Sequence, residues 1–364
     1  KTTRMDVLRP PTVWVAGRCY RVLNPQTATT TTNYAEADAY GFEDSVYQDE
    51  VDCTNETDFT VEETGSGRFQ TSFPVANPYI PYLIGSKGST KSRIEKETYT
   101  NLKFPGKGQN GNVVVTGKDV RTVRQARLKL EMLVEQARKK QPSTHFLSLP
   151  VNTPNIQEKF LEFKKEVLEK CGDSRGVEES IFQEAAKLHL TLCVLVLADD
   201  RERQQAVDTL KQCPETVLKK QLGGEKLRLE MKGVEIMNDD PGEVHVLYGR
   251  VNALSWSHSI QAIADSVVGE FVKGGLVTRQ QERVKLHVTL MNTSFRPQSN
   301  EDNSGVANQA RETFCAKKIL KEFADFEFGV FEVEEIHLSI RHTGSSTKYY
   351  SASAKIPVLP EEPS

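Results

Sequence analysis

A six-residue pattern that occurs twice constrains the fold of this 364-residue chain more than any other feature. Lys-Leu-His-Leu-Thr-Leu begins at Lys187, and Lys-Leu-His-Val-Thr-Leu begins at Lys285. Alternation with period two predicts a β-strand in each copy, with the aliphatic residues on one face and lysine, histidine and threonine on the other. If two half-domains place these strands side by side, two imidazoles and two hydroxyls meet on one surface.

The length of the chain predicts two domains rather than one. Its composition, 37% hydrophobic and 27% charged, is typical of a soluble globular protein. No apolar run is long enough for a membrane span and no segment resembles a signal peptide, so we expect no membrane partner. The cysteines are scattered without C-x-x-C pairs, which disfavours a zinc site and a disulfide framework and favours a reducing, intracellular compartment. They are Cys19, Cys53, Cys171, Cys193, Cys213 and Cys315.

The net charge of -3 hides two segments of opposite sign. Between Val22 and Gly67 there are eleven acidic residues and no lysine or arginine. This composition predicts a solvated, partly disordered acidic N-terminal arm, which we assign to residues 1–66. Between Gly85 and Lys140 there are fourteen basic residues and five acidic ones. The basic block predicts a surface that binds a phosphate backbone.

The basic block coincides with a recognisable order of elements over residues 67–141. The pattern predicts a strand, a short helix, a glycine-rich turn, a second helix, two strands and a long basic helix. The turn is Gly85-Ser86-Lys87-Gly88. This βααββα order with a G-x-x-G turn resembles a type I KH domain, although a G-x-x-G alone also occurs in simple helix–helix turns. The resemblance implies that Gly85, Ser86, Lys87 and Gly88 bind single-stranded nucleic acid, with RNA favoured, through backbone N–H groups.

The remaining residues, 142–364, predict an α+β domain in which strands and helices alternate. We expect strands at 145–151, 187–197, 226–237, 244–251, 285–291 and 332–340. We expect helices at 155–171, 201–213, 257–273 and 311–323, and an exposed loop at 296–309 that is rich in asparagine and serine.

Two H-x-T motifs about a hundred residues apart, each on a strand of an α+β domain, resemble those of the 2H phosphoesterases. That family includes the cyclic phosphodiesterase and RNA-ligase-like proteins and the A-kinase anchoring protein 7-like branch. The run Met237-Asn238-Asp239-Asp240-Pro241, which leads into Val246-Leu247-Tyr248, resembles a second landmark of the family. The resemblance implies a two-lobed, pseudo-symmetric domain with one motif from each lobe in a central cleft. The catalytic set it implies is His189, Thr191, His287 and Thr289.

These residue types suit phosphodiester chemistry without a metal or another cofactor. Histidine titrates near neutral pH and can act as base for the nucleophile or as acid for the leaving oxygen. Threonine hydroxyls can donate hydrogen bonds to phosphate oxygens as charge builds. The expected substrate is a phosphodiester or a terminal cyclic phosphate of single-stranded RNA. Lys187 and Lys285 share the polar face and would add positive charge, unless they are ordinary strand-end lysines in solvent.

A third look-alike, His337-x-Ser339, follows a glutamate rather than a lysine, and we expect it to be structural. His145, His245, His258 and His342 lack partner spacing and receive no role. Asp239 and Asp240 alone do not supply the carboxylate cluster of a metal-dependent nuclease.

A KH domain followed by a 2H domain, with the start Met5-Asp6-Val7-Leu8-Arg9-Pro10, resembles a family of cointegrator-complex subunits. The resemblance implies a helicase-containing nuclear complex that is linked to transcriptional coactivation and alkylation-damage repair. The expected location is the nucleus, with the cytoplasm left open as a second one. The alternative is a non-catalytic scaffold subunit that binds nucleic acid.

Overall fold

The computed structural model describes residues 12–15, 18–21, 59–65, 67–109, 111–254, 259–277, 285–297, 312–343 and 348–359. The chain divides into two compact units. The first contains Lys1–Pro142 and Val196–Arg203, and the second contains Ser143–Leu195 and Gln204–Ser364. Near the start, β1 (Thr12–Val15) and β2 (Arg18–Arg21) pair as an antiparallel hairpin. Within the described ranges, no helix has the length and apolar character needed to cross a membrane.

The first unit contains a four-stranded antiparallel sheet and three helices. In chain order these elements are β3 (Glu62–Thr64), β4 (Arg68–Pro74), α1 (Ile80–Ile84), α2 (Ser89–Thr98), β5 (Asn101–Lys103), β6 (Asn112–Gly117) and α3 (Val120–Lys139). The strands lie in the order β3-β4-β6-β5. From β4 onward the order is βααββα, as predicted, and Tyr79, Leu83, Val115 and Leu130 are among its fully buried side chains.

The end of the acidic segment is part of this sheet, which corrects the expected boundary at residue 67. Strand β3 pairs along the edge of β4, with Glu63 opposite Phe69. The guanidinium carbon of Arg127 lies 4.2 Å from the Phe59 ring centroid and 4.3 Å from that of Phe73. Because these contacts and the β3 hydrogen bonds hold residues 59–64 against the sheet, the folded unit begins before residue 67.

The second unit is built on one eight-stranded sheet in which every pair is antiparallel. Its strands are β7 (His145–Pro150), β8 (His189–Leu195), β9 (Arg228–Ile236), β10 (Val246–Ala253), β11 (Val288–Asn292), β12 (Glu327–Glu332), β13 (Glu335–Ile340) and β14 (Ala352–Pro357). Its helices are α4 (Pro154–Cys171), α5 (Asp200–Cys213), α6 (Lys219–Leu222), α7 (Ile260–Lys273) and α8 (Lys317–Glu322), and α5 begins inside the segment assigned to the first unit.

The strand order β12-β9-β10-β11-β8-β7-β13-β14 has two related halves. In one half β7, α4 and β8 follow each other, and in the other half β10, α7 and β11 do. In each half, the last strand of this βαβ segment carries an H-x-T motif and lies at the centre of the sheet. The predicted two-lobed, pseudo-symmetric α+β domain is therefore confirmed.

Two predicted elements differ from the structure. The run 332–340 forms parts of two strands, because the chain leaves β12 beside β9 and enters β13 beside β7 in the other half of the sheet. The helix predicted at 311–323 is reduced to α8, because Phe314 is buried and makes an isolated β-bridge with Val244 before the helix begins. Most of the loop predicted at 296–309 lies outside the described residues.

Candidate active site

The two motif strands are neighbours at the centre of the eight-stranded sheet. Val288 of β11 pairs with Leu190 of β8. Counting one residue outward in this antiparallel register places His189 opposite Thr289 and Thr191 opposite His287. We call the side of the sheet that carries these four residues the histidine face. On the opposite side, Leu188, Leu190 and Leu192 of the first copy and Val288 and Leu290 of the second are at most 5% exposed.

Helix α7 lies against the apolar side of the sheet. Leu149 and Leu192 line a small apolar cavity together with Ile260, Ile263 and Ala264 of this helix. Burial of the leucines against α7 fixes the orientation of β8, since a slip of one residue would bury the polar side chains instead. The hydrophobic core therefore turns the motif histidine and threonine of β8 to the histidine face.

Both motif histidines are held by the same local hydrogen bond. Nδ1 of His189 lies 2.7 Å from the carbonyl oxygen of Lys187, and Nδ1 of His287 lies 2.7 Å from that of Lys285. A carbonyl can only accept, so Nδ1 carries the proton and Nε2 has the free lone pair in each neutral ring. Among the described residues, neither Nε2 atom has a hydrogen-bond partner, and neither do the hydroxyls of Thr191 and Thr289. Two bases and two hydroxyls are thus available to a ligand.

Three aromatic rings surround His189. Their centroids lie 5.1 Å (Phe146), 5.4 Å (Tyr350) and 6.5 Å (Tyr349) from that of the imidazole. Burial lowers the pKa of His189 to about 4, the hydrogen bond to the Lys187 carbonyl opposes this effect, and the charge of His287 adds to it. His189 is therefore neutral at physiological pH in the free protein.

Within the described ranges, one aromatic ring contacts His287. The Tyr248 centroid lies 5.4 Å from that of the imidazole, and the Tyr248 hydroxyl donates to Oε2 of Glu235 at 2.8 Å. Burial lowers the pKa of His287, the Lys285 carbonyl opposes this effect, and the Lys285 charge lowers the pKa further. Burial and the Glu235 carboxylate raise the pKa of Tyr248 to about 12, so this hydroxyl remains a donor.

The aromatic walls of the two lobes are built differently. Tyr248 lies on β10 directly opposite Thr289, whereas the corresponding partner of Thr191 is the small Ser148 of β7. The Tyr349 hydroxyl lies 3.1 Å from the Ser148 hydroxyl, which in turn lies 3.1 Å from that of Ser339. Tyr349 belongs to the segment before β14, and its ring lies beside Ser148. In the other lobe the corresponding ring is that of Tyr248, which is itself a residue of β10. Tyr248 entered the sequence analysis only as part of the second family landmark, and Phe146, Tyr349 and Tyr350 were missed because no motif or spacing indicated them.

His337 lies close to this arrangement, because its ring centroid is 5.6 Å from that of Tyr349. His337 is 4% exposed, and its Nε2 lies 2.7 Å from Oε2 of Glu335, so the third look-alike is fixed inside the sheet. His145 is bonded to the hydroxyls of Thr144 and Ser353, and His245 to that of Thr293. His258 lies outside the described residues. In the part of the chain that the structure describes, no three histidine, cysteine, aspartate or glutamate side chains form a metal-binding group.

The G-x-x-G turn of the first unit has the backbone that nucleic-acid binding requires. Gly85 has φ 74°, and a Cβ there would lie 2.3 Å from Oγ1 of Thr90. Gly88 has φ 81° and open space where its Cβ would be, while Lys87 between them is exposed with φ 50°. No side chain caps the N-terminus of α2, which begins at Ser89. The N–H of Ser89 donates to the carbonyl of Ser86, and the N–H groups that follow in the first turn of α2 have no side-chain cap and can meet a phosphate.

Comparison with known proteins agrees with both units. Residues 143–358 match the AKAP7 2'5' RNA ligase-like domain, and residues 70–132 match the KH domain. The fold and the paired histidines thus define a KH domain followed by a 2H phosphoesterase-like domain.

The mouse (Mus musculus) activating signal cointegrator 1 complex subunit 1 is 37% identical over 360 residues, covering 97% of this chain and 99% of the mouse protein. The chain therefore belongs to the family of this subunit. An uncharacterized protein of Schizosaccharomyces pombe is 24% identical over 226 residues, covering 60% of this chain and 97% of the yeast protein. A chain of the a/eIF2alpha-aDim2p-rRNA complex from Pyrococcus horikoshii OT3 aligns with 28% of this chain and 68% of its own, at 20% identity and a TM-score of 0.17. That likeness is too low to add to the fold assignment.

Proposed function

We propose that this protein is an RNA-binding phosphodiesterase that acts on a phosphodiester or a terminal cyclic phosphate of single-stranded RNA. The observation that carries this proposal is the antiparallel pairing of β8 with β11, which places each motif histidine opposite the threonine of the other motif. The two Nε2 atoms and the two hydroxyls share the histidine face and have no hydrogen-bond partners among the residues that the structure describes. Such a set can hold one phosphate and transfer protons on both sides of it.

The chemistry follows from the protonation state of the two rings. In cleavage, one neutral Nε2 takes the proton of the ribose 2′-hydroxyl while the 2′-oxygen bonds to phosphorus. The bond from phosphorus to the 5′-oxygen breaks, and the second, protonated Nε2 gives its proton to that oxygen. The products are a 2′,3′-cyclic phosphate and a 5′-hydroxyl. Water in place of the 2′-hydroxyl opens a cyclic phosphate by the same steps, so the direction of the reaction decides which histidine is the base.

The low pKa values of both histidines require a source for the second proton. A bound phosphate carries negative charge, which favours the protonated form of a nearby imidazole and raises its pKa. One histidine therefore becomes an acid when substrate is bound, while repulsion between two charged rings keeps the other neutral. Thr191 and Thr289 would donate to the non-bridging oxygens of the phosphate as negative charge builds there.

The first unit would bind the single-stranded RNA. We propose that Gly85, Ser86, Lys87 and Gly88 hold the backbone of about four nucleotides, with the α2 N-terminus and the basic block around them. From the name of the mouse relative we also propose membership of a cointegrator complex, and from the family resemblance a helicase partner, a nuclear location, and roles in transcriptional coactivation and alkylation repair.

A panel of short single-stranded RNAs with defined 3′ ends tests the activity. The expected result in EDTA is single-turnover cleavage or ring opening with identified product ends, and a loss of about 10²- to 10⁴-fold on His189→Ala. His245→Ala is the matched control, because His245 is exposed and bonded only to Thr293 among the described residues. Binding of RNA in the absence of any turnover would favour the non-catalytic scaffold instead.

A further inference from the structure

Each motif lysine has the same surroundings in the two lobes. Nζ of Lys187 lies 5.8 Å from the centroid of the Tyr350 ring, and Nζ of Lys285 lies 5.5 Å from that of Tyr248. These are the rings that contact the motif histidines edge-on, each at 5.4 Å. A lysine, a tyrosine and a histidine therefore form one contact series in each lobe, although the two tyrosines come from unrelated positions in the chain. An ammonium ion over a tyrosine ring is attracted by its π-electrons, which favours one position of a long side chain.

The opposite directions of the two strands decide at which end each lysine lies. Lys187 is the last residue of the 3₁₀ turn Ala185–Lys187 that leads into β8, and Lys285 lies three residues before β11. Each lysine thus lies where the chain enters its strand, and the antiparallel strands β8 and β11 are entered from opposite ends. The order along the strands is a lysine, two rows of histidine with threonine, and a second lysine. The positive charges are at opposite ends of the histidine face.

The positive charge of both lysines remains available to a ligand. Lys187 contacts Oε1 of Glu184 at 2.6 Å, but the Glu184 side chain is 64% exposed. An ion pair with so exposed a carboxylate is worth at most about 1 kcal/mol and exchanges readily for a phosphate. Lys285 is exposed, and no described carboxylate forms an ion pair with it.

We propose that Lys187 and Lys285 bind the phosphates that flank the reacting one, so that the site takes an internal linkage of an oligonucleotide. This inference rests on the proposed function of the histidine face and narrows its substrate class. A terminal cyclic phosphate of a mononucleotide supplies one phosphate to the histidines and threonines and supplies none to the ammonium groups of the two lysines. A strand with a phosphate on either side supplies all three, and lysine is a common partner of backbone phosphates.

Four substrates separate the contributions of the two ends. They are a dinucleoside monophosphate and its forms with an added 5′-phosphate, an added 3′-phosphate, or both. A charge-assisted hydrogen bond to each added phosphate should raise kcat/KM about tenfold. Lys187→Met should abolish the gain from one terminal phosphate and Lys285→Met the gain from the other, since methionine keeps the apolar stem and removes the charge.

Lys164→Met is the matched control. Nζ of Lys164 lies 5.7 Å from the Phe182 ring centroid and 2.9 Å from Oε1 of Glu179, so it has the same kinds of contact as Lys187. Its ring partner Phe182 is not among the rings that contact the motif histidines. The side chains of Lys164 and Lys187 are also similarly exposed, at 23% and 24%. This variant should keep the gain from both added phosphates.

Calorimetry with the 2′-deoxy forms of the four ligands separates this inference from the proposed activity. These ligands lack the attacking hydroxyl, and a Lys87→Glu background removes the charge of the G-x-x-G turn. End-specific loss of the phosphate gain in the two methionine variants supports the lysine sites even if no RNA is cleaved. Cleavage with equal kcat/KM for all four substrates would overturn the lysine sites and leave the phosphodiesterase standing. Equal losses in all three methionine variants would also overturn them, because general surface charge would then explain the gain.

Discussion

The aromatic enclosure of His189 predicts that opening it raises the pKa of this histidine. Tyr350 is the ring to remove, because it is only half-buried, whereas Phe146 and Tyr349 are at most 5% exposed. Tyr350→Ala admits water to one side of the imidazole. Since burial is the largest cause of the low pKa, the protonated ring becomes more stable and the pKa must rise.

The magnitude follows from the three rings. The fall of the His189 pKa from 6.5 to about 4 corresponds to about 3 kcal/mol against the charged form. If each ring contributes a similar share, removing one returns roughly 1 kcal/mol and raises the pKa by roughly 1. The folded state binds this proton less readily than the unfolded state, so the stability of the wild type should fall as the pH drops from 6.5 to 4. This loss should be smaller in the variant.

The assay is an NMR titration of the histidine ring resonances of the full chain, assigned with a His189→Gln variant. The wild-type His189 should titrate far below pH 6, and Tyr350→Ala should shift its midpoint upward. Tyr99→Ala is the control, since Tyr99 is 83% exposed and belongs to the first unit. A wild-type midpoint near 6.5, or an unchanged midpoint in Tyr350→Ala, would refute the reasoning.

Three further outcomes are expected. Gly85→Ala should lower the free energy of unfolding by about 1–3 kcal/mol because its Cβ would meet Thr90, and Gly88→Ala should cost less in urea unfolding because the space there is open. Lys87→Glu should weaken binding of single-stranded RNA and reduce the slope of log K against log salt by about 1 in fluorescence anisotropy. Burial raises the pKa of the partly buried Glu131 and the charge of Arg127 opposes that rise, so Arg127→Ala should destabilise the first unit more at pH 7 than at pH 5. Equal urea midpoints for the two glycine variants, an unchanged salt slope, or equal losses at both pH values would contradict these expectations in turn.

Local patterns were sufficient to predict the elements that carry the site. The alternation around His189 and His287 gave both motif strands and the face on which their polar residues lie, because burying the leucines allows only one orientation. The G-x-x-G turn was predictable because Gly85 has positive φ and no room for a Cβ. Helix α2 was predicted to follow the glycine-rich turn, and it begins at Ser89, directly after Gly88.

Long-range packing explains what the sequence analysis missed. Tyr349 and Tyr350 reach His189 from a segment that follows it by about 160 residues, and no spacing relates them to the H-x-T motif. The break between β12 and β13 depends on strand partners in different halves of the sheet, which a continuous β-rich run cannot reveal. The contribution of β3 was hidden because a strand with two exposed glutamates has the composition of the acidic segment around it.

The central claim is that His189 and His287 act together on one phosphate. A double-mutant cycle measures this directly, using single-turnover rates on a short RNA in EDTA for the wild type, His189→Ala, His287→Ala and the double variant. Because the two rings act as base and acid in the same reaction at one phosphate, each single variant should lose about 10²- to 10⁴-fold and the double variant hardly more than either. Losses that multiply in the double variant, or cleavage that persists in it, would contradict the claim.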